Sequence, residues 1–138
     1  MSLSKPAVFW RVHWSDLPAF SEENAWSRPW GQYNEEGVEP LRGYSAVDTA
    51  EDLVRYFDAH SGGLGDDLPV VAFWGVSVGV GPDNETLVVP TEDGVIAWMR
   101  GSDLDRGVLE HEDYDANGCP TAEFCAVLRA VGQKRRIK

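Results

Sequence analysis

Two cysteines, Cys119 and Cys125, are all that the chain contains. They lie six positions apart and no histidine pair at metal spacing accompanies them, so no zinc signature is encoded. A disulfide between them would need the intervening backbone to turn back on itself; free thiols in a reducing cytoplasm are the simpler reading. Basic residues are also scarce. Twelve Lys and Arg stand against 23 Asp and Glu, the formal net charge is −11, and the basic run is the tail KRRIK at Lys134–Lys138. Such a surface repels phosphate backbones, which argues against a nucleic-acid groove. No apolar run approaches the roughly 18 residues that a membrane span needs, and the start MSLSKPAVFWR has no long apolar core, so a cytoplasmic protein without a membrane segment is expected. Gly75, Gly79 and Gly81 follow neither phosphate-loop spacing nor the dinucleotide fingerprint. No G-x-S-x-G elbow is present for a serine nucleophile, and there is no internal repeat, low-complexity tract or linker.

What is present reads as one ordinary folded unit. At 138 residues the chain has the usual size of a single domain, here taken as residues 1–138, and 43% hydrophobic residues suffice for a core. AVFWRVHW (Ala7–Trp14) alternates like a strand: Val8, Trp10, Val12 and Trp14 fall on one face, expected to be core, and Phe9, Arg11 and His13 on the other. From Ser15 to Pro40 no period survives, although Trp26, Trp30 and Tyr33 sit among the polar residues. In LRGYSAVDTAEDLVRYFDAH (Leu41–His60) an extended piece ends at Tyr44–Ser45. Asp48 is then expected to cap a helix, with Glu51 closing the capping box and Ala50, Leu53, Val54 and Phe57 forming the buried stripe. SGGLG stops that helix.

VVAFWG reads as a strand buried on both faces, VSVGV and TLVVP flank a GPDN hairpin turn, and TEDG predicts a further turn before VIAWM. Ser102 is expected to cap a short helix. TAEFCAVLRAV fits either a helix or a strand. Together these elements predict an α+β fold, with a largely antiparallel sheet and flanking helices.

Two groups of residues bear on chemistry. HEDYDANGCPTAEF contains D-x-D-x-N-G, and Asp113, Asp115, Asn117 and Gly118 occupy the first, third, fifth and sixth places of a loop that resembles an EF-hand. The twelfth place, which should be a bidentate glutamate, is Phe124, so a polar turn without bound metal is expected. The second group is Arg11 and His13 on an early strand, Tyr44 and Ser45 before an amphipathic helix, and Glu85 opening a late strand.

In that order FWRVHW, RGYSAVDTAEDLVRYF and DNETLVVP resemble a reduced ADP-ribosyltransferase fold. The resemblance implies NAD as substrate and no metal. Arg11 or His13 would bind the ribose or diphosphate, and Tyr44, with the neighbouring Ser45, would meet the nicotinamide under Trp26 or Trp30. Glu85 would stabilise the oxocarbenium-like state as nicotinamide leaves. Two other readings stay open. One is a non-catalytic acidic protein, such as an inhibitor, that binds a basic partner. The other is a binder of a small molecule or sugar that uses some of the six tryptophans.

Overall fold

The computed structural model describes residues 5–27, 40–81, 84–104 and 121–136, with backbone alone at 60–61 and 131–136. Its frame is an antiparallel four-stranded sheet. Strand β1 (Ala7–Val12) pairs with β5 (Pro69–Val80), from Ala7 opposite Gly75 to Val12 opposite Val70. Strand β5 pairs with β6 (Thr86–Arg100), and β6 pairs with β4 (Tyr44–Ala46), which gives the order β1-β5-β6-β4. A small ladder of β2 (Trp26–Ser27) and β3 (Leu41–Arg42) lies apart from it.

The sheet is curled. Trp10 and Val47 exchange both backbone hydrogen bonds, at 2.8 and 3.0 Å, so the end of β4 returns to β1. Phe9, Ala46, Val71, Phe73 and Val88 gather on the inner face, one or more from each of the four strands. The outer face carries Val8, Trp10, Val12, Val70 and Ala72 and is covered by α1 (Ala50–Ser61) and α3 (Ala122–Arg136) through Leu53, Phe124 and Leu128. Val70, Val71, Ala72 and Phe73 are each fully buried, which is why VVAFWG is continuously apolar. The fold is thus a single-domain α+β arrangement with an antiparallel sheet. Among the described residues no helix is long and apolar enough to cross a membrane.

Several local expectations shift. Helix α1 is capped by Thr49, not Asp48: Thr49 Oγ1 accepts from the Asp52 N–H at 3.0 Å, while Glu51 turns outward to an ion pair with Arg55. Ala50 and Leu53 are buried, Val54 and Phe57 partly so, and Gly62 ends the helix with φ 75°. Trp14 is not core. The strand stops at Val12, alternation stops with it, and Trp14 is 48% exposed.

The β5–β6 hairpin forms as expected, but TEDG does not reverse the chain. Phe73 pairs with Val95 and Gly75 with Pro90, so residues 91–94 bulge out opposite Trp74 while β6 continues. A hydrogen bond from Thr91 Oγ1 to the Trp74 carbonyl holds the excursion, and Asp93 takes φ 54°. Ser102 lies inside the single turn α2 (Gly101–Asp103), which starts after Arg100 and is held by the Arg100 N–H on Asp103 Oδ2. The C-terminal segment is helical; Thr121 Oγ1 accepts from the Phe124 N–H and Phe124 packs on Trp10. The aspartate-rich stretch Asp113–Gly118 and Cys119 lie outside the described residues, and Cys125 is a buried free thiol.

Candidate functional site: an acidic groove beside the first helix

Strand β1 places Arg11 on the sheet's inner side at its edge. The guanidinium lies 4.5 Å from the centre of the Tyr44 ring and donates from Nη1 to the Ser45 carbonyl at 3.0 Å, tying β1 to β4. Glu85 ends the hairpin turn. Its carbonyl accepts from the Gly81 N–H at 2.8 Å, and its carboxylate folds back over Gly81. Arg11, Ser45 and Glu85 share the wall of one groove of about 1000 Å³.

The remaining predicted residues fall elsewhere. His13, 6% exposed, is enclosed by Phe20, Tyr44 and Trp98, and its Nε2 bonds the Pro18 carbonyl at 2.9 Å. Tyr44, 3% exposed, stacks on Phe20 and accepts from the Ser21 N–H. Neither ring is on the groove wall; both lie in the packing behind Arg11. Trp26 is half-exposed on β2 with Arg42 over its ring at 4.9 Å, and of β2 only Ser27 lines the groove. Trp30 lies outside the described residues.

The opposite wall comes from α1 and was missed in the sequence. Asp52 and Tyr56, four apart on α1, share one side of the helix, and Asp48, two residues before its first turn, lines the groove with them. Asp16 and the half-exposed Trp14 complete it from the segment after β1. The signal in the sequence is the spacing of Asp48, Asp52 and Tyr56 in VDTAEDLVRY, beside the apolar stripe. Burial raises the Asp48 pKa above its ordinary value, and the hydrogen bond and charge of Asp52 raise it further.

Among the described residues the groove therefore presents Asp16, Asp48, Asp52 and Glu85 against one cation, Arg11, and flanks them with the exposed rings of Trp14 and Tyr56. Such walls attract cations and offer π-faces to them. Comparison with protein-family models, with curated proteins and with solved structures finds no match for the chain.

Proposed function

We propose that the protein is a non-catalytic binding protein that takes a lysine- or arginine-rich segment of a partner protein into the groove beside α1. The observation that carries this is the combination of four carboxylates with the exposed rings of Trp14 and Tyr56 in the lining of one groove. A basic side chain there gains both a carboxylate and an aromatic face, and the net charge of −11 steers a basic partner toward it. The test is titration of the full chain with a Lys/Arg-rich peptide and with a Glu-rich peptide of equal length, followed by tryptophan fluorescence. The basic peptide binds, added salt weakens it, and Asp16→Asn with Asp52→Asn reduces its affinity at least about tenfold, which is about 1.4 kcal/mol. Equal binding of both peptides, or no effect of the double variant, rejects the proposal.

A second reading is favoured by one specific observation: Arg11, Ser45 and Glu85 share the same wall. In it the groove holds NAD, Arg11 meets the diphosphate and Glu85 stabilises the cationic sugar as the bond to nicotinamide breaks. Glu85→Gln then abolishes nicotinamide release from NAD without unfolding the chain; a wild type that releases none removes this reading. For either function we place the protein in the cytoplasm, supported by the free thiol of Cys125.

A further inference from the structure

His13 serves neither reading, yet its imidazole is buried, at 6% exposure. It sits just past β1, with its own N–H bonded to the Pro69 carbonyl at 3.0 Å, so its backbone belongs to the rigid sheet. Its side chain belongs to something else. Nε2 meets the Pro18 carbonyl, and the ring meets Phe20 at 5.2 Å, so one imidazole grips the segment 14–25 at two places. Phe20 is what that segment inserts: its ring stacks on Tyr44 at 4.8 Å and stands edge-on to Phe73 at 4.8 Å and Trp98 at 5.9 Å. The same segment supplies Trp14 and Asp16 to the groove.

The proton count is fixed by the bonding. A carbonyl only accepts, so Nε2 carries the hydrogen and donates to Pro18. Nδ1 then holds a lone pair, is buried, and has no hydrogen-bond partner among the described residues. A proton added at Nδ1 creates a buried, charged donor with no acceptor among the described residues. The surrounding charges do not compensate. Arg11, from β1, adds a like charge; β4 presents the Tyr44 phenol, β6 the uncharged Trp98, and the overlying segment Pro18 and Phe20. The acids of that segment, Asp16, Glu22 and Glu23, have exposed side chains.

We propose that His13 is a proton-operated latch: neutral, it holds segment 14–25 against the inner face of the sheet, and protonated, it releases the segment together with the Phe20 plug. Burial first, and Arg11 after it, lower the imidazole pKa below its ordinary 6.5, against the opposing pull of the Pro18 bond. The sign follows. A depressed folded value stabilises the closed segment above pH 6.5, and that stability is lost as pH falls through the folded value. The latch is independent of what the groove binds.

The experiment is amide hydrogen exchange on the full chain at pH 7.5 and pH 5, corrected for the intrinsic pH dependence of exchange. In wild type, protection of peptides covering 17–25 falls by up to about tenfold per pH unit below the imidazole's ordinary value, while β5 and β6 keep theirs. In His13→Gln, whose carboxamide can still donate to Pro18 but does not titrate, the segment exchanges alike at both pH values. An Asp48→Asn background removes the other shifted group without altering the result. The latch is rejected if wild-type protection of 17–25 is the same at both pH values, if it is lost only together with β5 and β6, or if His13→Gln shows the wild-type pH dependence. Should that variant not fold, NMR titration of the His13 ring in wild type decides: a midpoint at or above the ordinary histidine value also rejects it.

Discussion

The start of α1 offers a sharp test, because sequence and structure disagree there by one residue. The structure gives the cap to Thr49, whose Oγ1 accepts from the Asp52 N–H at 3.0 Å. Thr49→Ala removes that acceptor and leaves the first turn with an unmet donor, at a cost of about 1 kcal/mol, within a usual range of about 0.5–2. With about 2.1 cal/mol/K of unfolding entropy per residue, a 138-residue chain has about 0.29 kcal/mol/K, so 1 kcal/mol lowers Tm by about 3–4 °C. Asp48 behaves oppositely. Its folded pKa lies above the unfolded 3.8, so the native state holds the proton more tightly and stability is lost as pH rises through the folded value. At pH 7 the ionised carboxylate faces Asp52 and opposes folding, so Asp48→Asn raises Tm. Near pH 3, where the carboxyl is neutral in both states, the gain disappears. Circular dichroism melts and urea unfolding of the two variants at pH 7 and pH 3 measure all of this. A loss of about 1 kcal/mol in Asp48→Ala together with a neutral Thr49→Ala would show that the helix starts one residue earlier and refute the assignment.

Other outcomes follow from the packing. Leu53→Ala, at 4% exposure, costs about 2–5 kcal/mol, and Phe57→Ala costs less because that ring is only partly covered; urea midpoints rank them. Gly101→Ala drives a methyl group into the Gly65 carbonyl oxygen, a backbone atom that cannot swing aside, and lowers the melting temperature as overpacking of about 1–3 kcal/mol or more. Tyr44→Phe leaves the Ser21 N–H without its acceptor and costs about 1 kcal/mol, with faster exchange of that amide than of β5 amides.

The sequence announced the elements whose apolar period is strong. VVAFWG is apolar at every position because helices cover one side of β5 and the inner face closes over the other. The stripe Ala50, Leu53, Val54, Phe57 marks the buried side of α1, and GPDN marks the hairpin. What stayed hidden depends on contacts between distant positions. Alternation assigns Trp14 to the core, but only the end of pairing at Val12 shows why it faces out. TEDG has the composition of a turn, yet β6 absorbs it as a bulge because pairing with β5 resumes on both sides. Arg11 and His13 share a side of β1 in any alternating reading. The curl that leaves one on a groove wall and the other under Phe20 arises from the Trp10–Val47 bridge, which no local pattern encodes.

That bridge also orders events during synthesis. Strand β1 leaves the ribosome before both neighbours to which it bonds: Val47 follows, and then β5, whose Gly75 pairs with Ala7. At about 5–20 residues per second, an apolar strand ending in Val12 waits several seconds before its ladder can form. The β5–β6 hairpin, by contrast, closes locally as soon as it emerges. The ladder of β1 therefore cannot be completed until β5 has emerged. Slow, long-range pairing of this kind makes the time spent with Phe9 and Trp10 uncovered the interval in which chaperones or aggregation compete for the chain.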